Sequence, residues 1–130
     1  MDRRKILIVD DEIDVLLVLE KGLTAEGYSV IATSNGHKAI HLAQSEQPDL
    51  IILDVLMPDM DGGEVAIILK GMPETKDIPV IFLTGMFPVR KKSEDFHMVA
   101  DHVWFDKPYD ILKLINVIEN VLLEKRISLK

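Results

Sequence analysis

Short, continuous apolar runs recur along the chain, and most are followed by a segment with helical periodicity. The runs are ILIV at 6–9, YSVIA at 28–32, LIIL at 50–53, VIFL at 80–83 and VWF at 103–105. Because apolar and polar residues do not alternate within them, they are typical of strands buried on both faces. The pattern therefore predicts an α/β fold in which a parallel sheet of five strands has helices on both faces.

Five helices are predicted between and after these strands. Four of them are recognised by apolar residues three and four positions apart, which lie on one face of a helix. These stripes are Leu16, Leu19 and Leu23; Ala39, Ile40 and Ala43; Val65, Ile68 and Leu69; and Ile111, Ile115, Ile118 and Leu122. The fifth helix, between Val89 and Met98, rests on a weaker pattern because that segment is more polar.

Length and charge exclude several classes of protein. A chain of 130 residues without cysteine fits one domain, and it has no disulfide or thiolate metal site. A net charge of −7 disfavours direct binding to nucleic acid. No apolar run approaches the roughly 18 residues needed to span a membrane, and the first is too short for a signal peptide. We therefore expect a cytoplasmic chain, with a domain over 1–125 and a short charged tail over 126–130.

Polar residues follow the predicted strands at their carboxyl ends. Asp10 and Asp11 follow the first strand, Asp54 the third, Thr84 the fourth and Lys107 the fifth. Alone, the Asp-Asp pair is typical of a helix cap, but these strand ends meet at one edge of a parallel sheet. Carboxylates 4 Å apart repel by about 1 kcal/mol in water and about 4 kcal/mol near a protein surface. A hard divalent cation such as Mg²⁺ relieves that repulsion, so the edge is a candidate magnesium site.

Four motifs at these strand ends resemble a known family. VDDE at 9–12, LDVLMPDMDG at 53–62, LTG at 83–85 and KP at 107–108 are similar to the motifs of the receiver domain of bacterial two-component response regulators. The resemblance covers nearly the whole chain. It implies a single doubly wound, flavodoxin-like sheet with strand order 2-1-3-4-5.

The resemblance also implies a phosphorylation site. Asp54 would be the nucleophile that accepts a phosphoryl group from a phospho-histidine on a sensor histidine kinase or a histidine phosphotransfer protein. Mg²⁺, or Mn²⁺ in its place, would be bound by Asp11, Asp54 and the backbone carbonyl of Leu56, while Asp10 would act mainly through water. Such a chain assists its own phosphorylation without being an enzyme in the usual sense.

The response to phosphorylation is implied in the same way. Lys107 and the Thr84 hydroxyl would hold phosphoryl oxygens, and Thr84 would move with Trp104, which occupies a position where Tyr or Phe is usual. The last helix and strand would relay the change to a downstream effector, and their face is a candidate homodimer surface. Leu56 and Met86 would flank the attacking water in dephosphorylation. Because neither can orient water or act as a base, we expect slow autodephosphorylation.

The loop after Asp54 is predicted to be structural. Pro58 fixes one dihedral angle, Asp59 and Asp61 cap backbone amides, and glycine supplies a positive φ before the next helix.

Other functions fit the sequence less well. DMDGGEV at 59–65 contains the D-x-D-G core of haloacid-dehalogenase-type phosphatases, but the strand ends at Asp54 and Pro58 intervenes. An EF-hand loop fails because Gly63 and Glu64 stand where a ligand and then glycine are required. A flavin binder would meet acidic residues after its first strand. A degenerate receiver that acts as a phosphorylation-independent interaction module is the remaining alternative, although no acceptor, lysine or metal aspartate is missing.

Overall fold

The structure is a computed structural model, and it describes residues 4–55, 57–84, 96–99, 102–106 and 111–128. Strands and helices alternate over most of the described residues. The strands are β1 (Lys5–Val9), β2 (Ser29–Thr33), β3 (Leu50–Asp54), β4 (Val80–Thr84), β5 (Phe96–Val99) and β6 (His102–Asp106). The helices are α1 (Ile13–Ala25), α2 (Gly36–Glu46), α3 (Gly62–Lys70) and α4 (Ile111–Ser128).

The strands form one sheet in the order β2-β1-β3-β4-β6-β5. Every neighbouring pair is parallel except β5 and β6, which pair antiparallel. The predicted fold class and the order of the five parallel strands are confirmed, with β6 as the fifth. The additional edge strand β5 was not predicted. The helix predicted over Val89–Met98 is wrong where it overlaps β5, and its first part, 89–95, lies outside the described residues.

The central strands β1 and β3 are buried on both faces, which explains their continuous apolar runs. Ile8 of β1 packs in a cluster with residues of α1 and α4, whereas its neighbour Leu7 packs in a cluster with residues of α2 and α3. The same division holds along β3, where Ile52 faces the first cluster and Ile51 the second. Two hydrophobic layers therefore hold the sheet between two pairs of helices.

Most residues of the predicted helical stripes are buried. The stripes of α1 and α4 pack in the first cluster and that of α2 in the second, with Ile40 and Ile111 only partly buried. On α3, Val65 and Leu69 are buried, but Ile68 is 38% exposed and Ala66 takes its place in the core. The inward face of α3 is thus rotated by roughly 50° from the predicted one, towards Ala66, since successive residues differ by about 100°.

The edge of the sheet opposite the strands' carboxyl ends brings the first and last described elements together. Tyr28 precedes β2 there, and burial raises the pKa of its hydroxyl. The negative charges of Glu119, on α4, and Glu26 raise that pKa further, whereas Arg4, just before β1, lowers it. Ile6 of β1 and the buried residues of α4 also share the first hydrophobic cluster with Tyr28.

Helix α4 continues to Ser128, through most of the segment predicted as a tail, and the division at 125/126 stays a prediction. Among the helices of the described residues, none is long and apolar enough to cross a membrane.

Candidate functional site

Two buried carboxylates lie side by side at the carboxyl edge of the sheet. Val9 of β1 is in register with Leu53 of β3, so the next residues, Asp10 and Asp54, occupy neighbouring positions. Asp10 is only 1% exposed and Asp54 only 5%. Buried carboxylates are costly unless a partner compensates their charge. Among the described residues, Asp10 and Asp54 are the only charged residues that are buried.

Two exposed acids extend this pair towards solvent. Asp10, Asp11 and Glu12 each offer a carboxylate oxygen, and these three oxygens lie within 4.8 Å of one another. We call the group formed by these residues and Asp54 the acidic pocket. Its donors are all carboxylate oxygens, the ligand type that Mg²⁺ prefers, so the residues present fit such an ion. Glu12 was not among the predicted ligands, although it completes the VDDE motif.

A local hydrogen bond holds Asp10 in place. Its Oδ1 accepts a hydrogen bond of 2.9 Å from the backbone N–H of Glu12. Glu12 is the N-cap residue of α1, and its side chain makes no capping hydrogen bond. The sequence Asp-Asp-Glu thus connects β1 directly to α1. The N-cap residue of that helix, Glu12, does not cap it through its side chain as an ordinary N-cap residue does.

The loop after Asp54 is built around two aspartates that bind backbone amides, as predicted. Asp61 is the N-cap of α3, and its Oδ1 accepts a 2.9 Å hydrogen bond from the Glu64 amide. Asp59 instead reaches another helix: its carboxylate accepts from the amides of Gly36, at 3.0 and 3.2 Å, and His37, at 3.3 Å. Asp59 therefore ties the N-terminus of α2 to the loop that follows Asp54.

Gly62 is required for a different reason from the one predicted. Its φ is not positive; among the described glycines only Gly27 has a positive φ. A Cβ at position 62 would clash with the backbone oxygen of Asp54 and would lie 3.0 Å from the Cα of Val55. The Gly62 amide also donates a 2.8 Å hydrogen bond to the Val55 carbonyl. The first turn of α3 therefore lies directly on the backbone of the candidate phosphoacceptor.

The hydrogen bonds between Asp59 and α2 depend on the negative charge of the Asp59 carboxylate. The pKa of Asp59 lies below its usual value, chiefly because the Gly36 amide donates to the carboxylate; partial desolvation opposes this, and the ring and amide of His37 lower the pKa further. A lowered pKa in the folded state gives stability that is fully present above the unfolded-state value, near 3.9. That stability is lost as the pH falls through the lowered folded-state pKa.

We therefore expect Asp59→Asn to lower the Tm at neutral pH, and we expect the difference from the wild type to shrink in strongly acidic solution. Melting curves recorded from about pH 7 down to about pH 2 would test this. Glu74→Gln, at an exposed position, is the matched control and should show only a small difference. A Tm difference for Asp59→Asn that stays constant over the whole range would contradict the role assigned to the charge.

The remaining predicted residues are placed only in part. Thr84 ends β4, next to β3 and β6, so its backbone lies at the same edge as Asp54. Trp104 lies in β6 in register with Phe82, but its side chain lies outside the described part of the molecule. Leu56, Met86 and Lys107 also lie outside the described residues. The roles of all five stay predictions.

Comparison with known proteins identifies the chain's relatives. The model of the response regulator receiver domain matches residues 6–119. The chain is 38% identical over 120 residues to "Probable transcriptional regulator ycf27" of Porphyra purpurea, an alignment that covers 92% of the chain and 48% of that protein. It is 36% identical over 129 residues to "Histidine kinase P4" of Formosa agariphila, covering 99% of the chain and 9% of the kinase.

Solved structures agree with these sequence relatives. The crystal structure of chemotaxis protein CheY4 of Vibrio cholerae is similar with a TM-score of 0.80 and 31% identity, and the match covers 92% of this chain and 99% of that one. The chain spans about half the length of the transcriptional regulators that it matches. The chain belongs to the family of response regulator receiver domains.

Proposed function

We propose that this receiver domain accepts a phosphoryl group on Asp54 in a magnesium-dependent transfer. The observation that supports this most directly is the burial of Asp54 beside Asp10 at the carboxyl edge of the sheet, where ligands of this fold class bind. A carboxylate oxygen of Asp54 attacks the phosphorus of a phospho-histidine. As the new P–O bond forms, the P–N bond breaks and its electron pair remains on the donor imidazole.

The acidic pocket would hold the metal ion. We assign Asp11, Asp54 and the backbone carbonyl of Leu56 as direct ligands of Mg²⁺ or Mn²⁺, and Asp10 as a residue that acts mainly through water. When bound, the ion supplies positive charge that compensates the converging carboxylates and the incoming phosphoryl oxygens. Asp10, fixed by its hydrogen bond from the Glu12 amide, keeps the orientation of the pocket.

The protein partners of this domain follow from the chemistry of the phosphoryl donor. A receiver of this kind accepts its phosphoryl group from a sensor histidine kinase or a histidine phosphotransfer protein, and similarity to a region of a histidine kinase is consistent with such a pathway. Lys107 and the Thr84 hydroxyl would then hold phosphoryl oxygens by charge-assisted and neutral hydrogen bonds. Thr84 and Trp104 would pass the change to α4 and β6, whose face would contact an effector or a second copy of the chain.

The experiment that tests this proposal is intact-mass measurement after incubation with Mg²⁺ and acetyl phosphate. We expect one phosphoryl adduct on the wild type, and none on Asp54→Asn or in the presence of EDTA. Asp49→Asn is the control for general loss of a carboxylate. An adduct that persists on Asp54→Asn would overturn the assignment. No adduct on the wild type, from acetyl phosphate or from a histidine-phosphorylated donor, would favour the degenerate interaction module.

The lifetime of the phosphorylated form depends on the residue two positions after the acceptor. Leu56 cannot orient a water molecule, so we expect Leu56→Asn to accelerate autodephosphorylation by about tenfold, less than the roughly 10²–10⁴-fold contribution of a positioned general base. Release of phosphate from the purified aspartyl phosphate, followed over time, measures the rate. Leu56→Met, which stays apolar, should leave the rate unchanged. A rate for Leu56→Asn equal to or below that of the wild type would contradict the shielding role.

A further inference from the structure

Helix α2 carries two histidines one turn apart on its exposed surface. His37 and His41 are separated by four residues, a spacing that brings side chains on a helix together, with about 5–6 Å between Cβ atoms. Both residues are exposed, and the His37 side chain is 63% exposed. Two imidazoles at this spacing on a helix can bind one metal ion together, as in helical zinc-binding motifs.

A carboxylate already orients the first of these imidazoles. Asp59 Oδ2 lies 3.0 Å from Nδ1 of His37, and the same carboxylate accepts from the amides of Gly36 and His37. Because an ionised carboxylate only accepts hydrogen bonds, we infer that Nδ1 of His37 carries the hydrogen. Its Nε2 then presents a lone pair, away from Asp59.

This pairing is the usual environment of a metal-bound histidine. Such a histidine nearly always donates its other ring N–H to a carboxylate or carbonyl, which fixes the tautomer and raises the basicity of the ligand. In this protein the carboxylate is held by backbone amides of the same helix, so the orientation of the ring is built into the fold. Asn35 caps the Lys38 amide, and Asp59 accepts from the two amides before it, those of Gly36 and His37.

We propose that His37 and His41 bind a divalent transition-metal ion of the Zn²⁺ or Cu²⁺ type, with Asp59 as the outer carboxylate of His37. Imidazole nitrogens select such ions, whereas the carboxylate oxygens of the acidic pocket suit Mg²⁺. Among the described residues, only Asp10, Asp11 and Glu12 form a group of three His, Cys, Asp or Glu side chains whose ligand atoms lie within 4.8 Å of one another. No third described side chain of these types therefore joins His37 and His41, and water completes the coordination of the ion. The site does not depend on the phosphorylation of Asp54.

Metal binding at this position would act on the loop that carries Asp59. A metal ion on Nε2 makes the His37 ring a stronger hydrogen-bond donor towards Asp59, which strengthens the tie between α2 and the loop. Gly36 lies against this loop as well, since a Cβ there would be 3.1 Å from the Cβ of Met60. The expected consequence is a higher Tm in the presence of Zn²⁺.

The test is a calorimetric titration with Zn²⁺ in a large excess of Mg²⁺, which occupies the acidic pocket. The wild type should bind one Zn²⁺, and assigned NMR signals should place it at the rings of His37 and His41. His41→Gln should weaken binding at least tenfold. Asp59→Asn should weaken it by about 10–100-fold, the usual effect of removing an outer carboxylate.

A register variant separates chelation from the mere presence of two histidines. His41→Gln combined with Ser45→His keeps both histidines on α2 but places them eight residues, or about 12 Å, apart along the axis. Both positions are exposed, and circular dichroism without metal verifies that the variant folds. We expect it to bind as weakly as His41→Gln alone. Equal Zn²⁺ affinity in the register variant and the wild type, or loss of Zn²⁺ binding in excess Mg²⁺, would overturn the proposal.

Discussion

Gly62→Ala should destabilise the domain by about 3 kcal/mol, at the upper end of the range for overpacking a folded interior. The added methyl would clash with the backbone oxygen of Asp54 and would lie 3.1 Å from the carbonyl carbon of the same residue. Backbone atoms of a central strand cannot move aside as a flexible side chain can. Helix α3 would have to shift away from β3, and its buried residues would lose contacts in the core.

Urea unfolding of the wild type and the variant measures this effect as a lower midpoint with a similar slope. Gly71→Ala is the matched control, since Gly71 ends α3 with an ordinary φ of −85° and a Cβ there would have no atom nearer than 3.5 Å. We expect that control to change stability by less than about 1 kcal/mol, with a tendency to stabilise. Equal losses in the two variants would contradict the close-contact explanation.

Mg²⁺ should stabilise the wild type strongly and should leave Asp10→Asn almost unaffected. An ion that binds only the folded chain stabilises it by about 2.7 kcal/mol at 100 times its Kd. Asparagine keeps an oxygen that can accept the Glu12 amide, so the substitution removes the charge of Asp10 without removing that local hydrogen bond. The loss of the Mg²⁺ effect would then report on the charge of the acidic pocket.

Thermal melts with and without Mg²⁺, at constant ionic strength set by Na⁺, provide the measurement. Glu20→Gln is the control, because Glu20 is an exposed acid farther along α1 and should leave the Mg²⁺ effect intact. An increase in Tm with Mg²⁺ that is the same in Asp10→Asn and in the wild type would place the cation elsewhere.

Much of this architecture could be predicted from local pattern. The central strands are buried on both faces, so a run such as LIIL is recognisable without knowledge of its neighbours. The acidic pocket was also predictable, since strand ends of a parallel sheet converge and Asp10 and Asp54 follow their strands directly. The stripe of α1 was correct because that helix has one clear apolar face, with Leu16, Leu19 and Leu23 buried.

The features that were missed depend on contacts between distant residues. Asp59 binds the amide of Gly36, 23 residues away, and no local signal distinguishes it from an aspartate that caps its own helix. The burial of Ala66 in place of Ile68 depends on how α3 is oriented on the sheet, which starts with the close contact of Gly62 and Asp54, and hydrophobicity along the helix does not specify that orientation. The edge strand β5 is defined by its antiparallel pairing with β6, and a short polar-flanked segment can be read as helix or strand.

The grouping of Arg4, Tyr28 and Glu119 has a consequence for how such a domain is joined to others. It places the beginning of β1 and the middle of α4 around one side chain, on the side of the sheet away from the acidic pocket. We expect a polypeptide attached before β1 or after α4 to leave from that side and to keep clear of Asp54. A domain joined in this way can be part of proteins of very different size. Its relatives agree with this, since one alignment covers 48% of a transcriptional regulator and another covers 9% of a histidine kinase.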